Sequence, residues 1–99
     1  MRIIKQYVEA IDDEVEGAKK YAEKYVECKA KDDMHSANRY KEMANDELKH
    51  AAYAHECAVK EIDELSKVYT APAEMMEKWE HAHKNYVEQV ALIRQMLAM

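Results

Sequence analysis

The chain has one glycine, one proline and no phenylalanine in 99 residues. Turn-formers this scarce leave few places for the backbone to reverse, and strand-formers are few as well. Alanine, glutamate, lysine and methionine fill the space, and that composition means helices. No apolar run approaches the roughly 18 residues of a membrane span. A basic excess is missing too: the net charge is −5, with 35% charged residues of mixed sign. This argues against nucleic acid and against anionic membrane as partners. The N-terminal stretch Met1-Arg2-Ile3-Ile4-Lys5-Gln6 is too short and too soon polar for a secretory leader. The two cysteines, Cys28 and Cys57, do not form a CxxC pair, and two lone thiols suit a reducing compartment. The expectation is a cytoplasmic chain with both thiols buried and unbridged. At 99 residues and 48% apolar content it is one domain, residues 1–99, with a core and much exposed surface.

What is present is helical periodicity. Ile4, Tyr7, Ile11, Glu14, Ala18, Tyr21, Tyr25 and Cys28 recur at steps of three and four, one stripe of a helix predicted over about 2–31. Every member is apolar or aromatic except Glu14, and an acid on a buried stripe is costly unless something pairs with it. Gly17 costs roughly 1 kcal/mol of helix stability relative to Ala. Its use is predicted to be the close approach of a neighbouring helix or backbone beside Glu14. Asp32-Asp33 breaks the helix, and either residue suits the cap of the next one. A second helix is predicted over about 34–69, with the stripe Tyr40, Met43, Glu47, His50, Ala54, Cys57, Leu65 and Val68. Ala44, Ala51, Ala54 and Ala58 flank it and leave room for a neighbour. Thr70 and Pro72 mark a second break: Thr70 can cap the next helix, and Pro72 is tolerated only in its first turn. A third helix is predicted over about 73–98, with Met76, Trp79, His83, Tyr86, Val90, Ile93 and Leu97 on one face. Helices this long do not make a compact globule of this mass, so association is expected.

Two of these helices fold as an antiparallel hairpin about Asp32-Asp33. Glu14 then comes level with Glu47 and His50 to within roughly a turn. Two carboxylates and an imidazole inside a bundle call for a cation, and the donor set suits iron, manganese or zinc. One hairpin supplies three ligands. A two-fold dimer supplies four Glu and two His, the ligand set of a dimetal carboxylate bundle.

The pattern Ala37-x-x-Tyr40-x-x-x-Ala44-x-x-Glu47-x-x-His50-Ala51, with Glu14 33 positions before Glu47 and Tyr21 two turns beyond Glu14, resembles half of a rubrerythrin-type ferritin-like domain. The likeness covers roughly residues 8–58. It implies an all-α fold in which the hairpin completes a four-helix-type bundle by dimerisation, as in the similarly short encapsulated ferritins. It further implies Glu14, Glu47 and His50 as ligands of two metal ions, iron by preference, with Tyr21 beside them. The implied activity is ferroxidase-type or related O2 or peroxide chemistry.

Other readings stand beside this one. Glu14 can be a core-edge acid paired with Lys or Tyr, and His50 a satisfied core histidine. Glu80 and His83 repeat the Glu-x-x-His spacing on the third helix. They either complete the site within one chain, build a second mononuclear site, or leave His83 as an interface histidine. At the level of function, the alternatives are a non-enzymatic metal-binding or iron-storage module and a metal-free helical interaction protein. A homodimer or higher homo-oligomer is the expected assembly.

Overall fold

The computed structural model describes residues 2–68 and 70–99. They form three helices, α1 (Arg2–Ala30), α2 (Met34–Ser66) and α3 (Ala73–Leu97). No strand occurs among the described residues.

Each break follows from local chemistry. Asp32 takes a left-handed backbone, φ 58°, a conformation that Asp tolerates better than most side chains. The turn lets the Asp33 amide reach back to the Cys28 carbonyl at 2.9 Å, and the Asp32 amide to Lys29 at 3.1 Å. The last carbonyls of α1 are thereby satisfied. Asp33 then caps α2, its carboxylate accepting from the Ser36 amide at 3.1 Å. The Ser36 hydroxyl, and after it the Ser36 amide, hold the Asp33 carboxyl below its usual range. Two residues thus close one helix and open the next.

The second break differs from expectation. α2 ends at Ser66, where the Lys67 and Val68 amides fold back onto Glu64 and Leu65. The predicted end at Tyr69 lies outside the described residues. Thr70 does not cap α3. Pro72 occupies the cap position, and its carbonyl accepts from the Met75 and Met76 amides. Proline presents the right φ there and loses no hydrogen bond, because that amide has no helical partner.

α2 runs antiparallel to α1, and α3 runs parallel to α1. Pro72, Met75 and Trp79 lie by Ile4 and Val8. At the other end the Lys29 ammonium donates to the Met99 carbonyl. The result is a rod of 55 × 17 × 17 Å.

The seam between α1 and α2 is made of alanine. Ala18 and Ala22 on one side, and Ala37, Ala44, Ala51 and Ala58 on the other, are buried almost completely. The α2 set recurs every seven residues, so it keeps facing α1 along the whole helix. Side chains this small let two backbones approach closely. Ile4, Ile11, Val15, Tyr25 and Leu48 fill the space around the seam, and Trp79, Ile93 and Leu97 bring α3 onto it.

This corrects the predicted stripe of α2. The alanines are the buried face rather than its flank. Met43, His50 and Val68 are exposed, while Tyr40, Glu47, Ala54, Cys57 and Leu65 are half-buried. On α1 the buried line passes through Val15 and Ala22, leaving Tyr7, Glu14, Tyr21 and Cys28 at its edge. Periodicity marks a face to within a residue or so. Tyr and Met outrank Ala on any hydropathy count, yet close helix packing selects the small side chain.

The seam predicts an asymmetry between adjacent alanines. Ala51→Leu overpacks the interface and should cost about 1–3 kcal/mol. Ala52→Leu, on the exposed surface, should change stability by less than about 0.5 kcal/mol. Thermal and urea melts followed by circular dichroism compare the two directly.

Candidate metal centre

Glu14 leaves α1 half-buried, on the edge of the alanine seam. Glu47 leaves α2 opposite it, and His50 follows one turn later on the same side. Their donor atoms all lie within 4.8 Å of one another. His50 Nδ1 stands 3.5 Å from a Glu14 carboxylate oxygen. Glu14 keeps 34% of its side-chain exposure and His50 keeps 62%, so the cluster opens to solvent through the histidine. The acids are less buried than the sequence stripe implied, and His50 lies outside the core.

Gly17 explains how Glu47 fits. A Cβ built at Gly17 would stand 3.2 Å from a Glu47 carboxylate oxygen. The missing side chain is the berth into which the Glu47 carboxylate lies. The close approach predicted beside Glu14 is therefore made by the Glu47 side chain rather than by a neighbouring backbone.

Two acids held this closely oppose each other's ionisation. The Glu47 carboxyl is pushed up first by its hydrogen bond with Glu14, then by burial and by the Glu14 charge; His50 acts in the opposite direction. In this arrangement the hairpin presents a negative, partly desolvated cluster with one imidazole at its exposed edge. Two donors on one ion, at bond lengths of 2.0–2.2 Å, lie about 3–4.4 Å apart. The present spacing is therefore within reach of a shared cation after small side-chain rotations. Oxygen and imidazole donors together suit iron, manganese or zinc.

The surroundings are aromatic and apolar. Tyr21 stacks against Tyr40, with ring centroids 6.2 Å apart. Met43 and Tyr53 are exposed on the same flank. α3 does not cover it. The grooves between α1 and α3 are lined by Val8, Asp12 and Val15 on one side and by Lys78, Asn85 and Gln89 on the other. At about 100° per residue, Glu14, Gly17 and Tyr21 project roughly 150° round α1 from that contact.

Glu80 and His83 do not join the cluster. Glu80 is exposed, and His83 meets His55 of α2, with His55 Nε2 and His83 Nδ1 2.7 Å apart. The predicted stripe of α2 leaves His55 out. The alanine register identifies it, because His55 falls on the same side of α2 as Leu48 and Ala51. Both cysteines are free and half-buried. Among the described residues no helix is long and apolar enough to cross a membrane.

Comparison with known proteins finds no matching family profile, no matching curated protein and no matching solved structure. The ferritin-like resemblance rests on the residues quoted for it.

The raised Glu47 carboxyl carries a pH prediction. Between the ordinary value of 4.5 and its raised folded value, the folded chain holds the Glu47 proton more tightly than the unfolded chain does. The contribution of the pair to stability therefore falls as pH rises through that window. Metal-free Glu47→Gln should melt above the wild type at pH 7, and the difference should shrink towards zero below the window. A difference that does not change with pH would mean the two carboxylates do not interact.

Proposed function

We propose that this chain is a metal-binding hairpin whose Glu14, Glu47 and His50 form half of a dimetal carboxylate centre, completed by a second copy. The observation that carries the reading is the convergence of three donor atoms from two helices beside a glycine that makes room for one of them. A surface ion pair has no need of such a berth. Charge supports the same reading: a divalent cation relieves the opposition between Glu14 and Glu47 that raises the Glu47 carboxyl.

The dimer follows from ligand number and from the exposed flank. Three protein ligands per chain leave an ion open to solvent, and two chains about a two-fold axis bring four carboxylates and two imidazoles together. The flank around the cluster carries Tyr7, Tyr21, Tyr40, Met43, Tyr53 and Ala54, and α3 leaves it free. A second copy laid there would bury these side chains and cover His50. The carboxylates would bind or bridge the ions, and His50 would bind terminally. Tyr21 and Tyr40, as a stacked pair, would hold the ends of the two helices at fixed separation. Iron bound there would supply one-electron chemistry toward O2 or peroxide. Binding an ion would displace the proton that the Glu14–Glu47 pair holds in its absence. Ferroxidase-type turnover is the activity this arrangement suits, with metal storage as the non-catalytic alternative.

Wild type should copurify with or take up Fe2+, Mn2+ or Zn2+, and Glu47→Ala should lose at least about tenfold in affinity. Equal metal content in the two proteins would remove the site. Oxidation of Fe2+ under air then separates enzyme from store: loaded protein that does not turn over is a binding module.

Gly17→Ala makes a sharper test, because its two effects have opposite signs. It should raise metal-free stability by up to about 1 kcal/mol through helix propensity, since the Glu47 carboxylate swings aside. It should weaken metal binding, because Glu47 loses its berth. Melting of the metal-free protein and metal titration of the same variant check both. If affinity is unchanged while stability rises, Gly17 has no part in the site.

A further inference from the structure

We propose a second cation site, built from His55 of α2 and His83 of α3, that clasps α3 to the hairpin and takes an imidazole-preferring divalent ion such as Zn2+. It is separate from the Glu14 cluster in both residues and location.

The geometry is that of a preassembled chelating pair. His55 Nε2 and His83 Nδ1 lie 2.7 Å apart, where one ring donates a proton to the other. The two residues are 28 positions apart in sequence, so folding alone brings the nitrogens together. A zinc ion binds imidazole nitrogen at about 2.0–2.1 Å, and tetrahedral angles set two such nitrogens about 3.3 Å apart. Replacing the shared proton by the ion therefore opens the pair by about half an ångström.

The rings are fixed in advance. His55 stacks on Tyr86 at 4.7 Å between centroids and 11° between planes, and on Trp79 at 5.6 Å and 27°. Trp79 is buried, while Tyr86 and His55 are half-buried. Side chains held by packing lose little further freedom on binding, which favours affinity. Burial, with His83 beside it, also keeps His55 in the neutral form that binds metals. His83 is exposed, so the remaining coordination positions open to water. The sequence offered His83 either with Glu80 in a site or as an interface histidine; in the fold its partner is His55 rather than Glu80.

The site also has a structural consequence. α3 packs mainly along α1, and the His55–His83 bond joins it to α2. An ion there ties the third helix to the second.

The test uses the full chain carrying Glu14→Ala and Glu47→Ala, in which the first site has lost both carboxylates, with and without His83→Gln. Glutamine keeps a hydrogen-bonding partner for His55 but offers no imidazole. Titrated with Zn2+, the double variant should bind and show a rise in Tm that EDTA reverses. His83→Gln in that background should lower the affinity about tenfold or more, since even partners behind a ligand cost that much. The imidazole signals of His55 and His83 in nitrogen-15 NMR should shift together as zinc is added, a readout that requires no substitution in the pair. Failure of the double variant to bind zinc overturns the second site. So does an affinity unaffected by His83→Gln, or binding that leaves both imidazole signals unmoved; the pair is then a packing hydrogen bond only.

Discussion

The close alanine seam between α1 and α2 is the constraint on which the rest depends. Ala37, Ala44, Ala51 and Ala58 repeat every seven residues and face Ala18 and Ala22 with almost no exposure. Small side chains let the two helices approach until residues on the seam's edge touch across it. Without that approach, Glu14 and Glu47 would stand apart as ordinary surface acids. With it, their carboxylates meet, and Gly17 supplies the last of the space.

Because the seam is narrow, it leaves the hairpin with two usable flanks. α3 occupies one, through Trp79, Ile93 and Leu97. The other carries the Glu14 cluster among tyrosines and methionine. The two flanks collect different chemistry: oxygen donors with one exposed imidazole on the open side, and a stacked imidazole pair on the side that α3 covers. Conflict between like charges is concentrated on the open flank, where the Glu47 carboxyl is pushed up by Glu14. A chain selected for stability alone would place a Gln or Leu at one of these positions. Keeping both acids next to a helix-weakening glycine makes sense when a cation takes part.

Much of this was legible in the sequence. Three helices follow from the scarcity of Gly and Pro and from the three-and-four spacing. The Asp32-Asp33 turn followed from capping chemistry, and the pairing of Glu14 with Glu47 and His50 followed from counting residues back from that turn. The register of α2 was not legible to the same accuracy. Its apolar weight lies in Tyr40 and Met43, while its buried face lies in alanines that carry little hydropathy. His50, on the predicted stripe, is exposed, while His55, which that stripe leaves out, is half-buried against His83. The start of α3 at Ala73 was legible from Pro72; only the cap differs, Pro72 holding that position where Thr70 was a candidate.

The central claim is that two copies of this chain share a pair of metal ions, and native mass spectrometry of the iron-loaded protein tests it most directly. The account predicts a dimer that carries two metal ions and falls apart, or loses both ions together, when Glu47 is replaced by Ala. A metal-loaded monomer, or a dimer that persists unchanged with no metal bound, would contradict it.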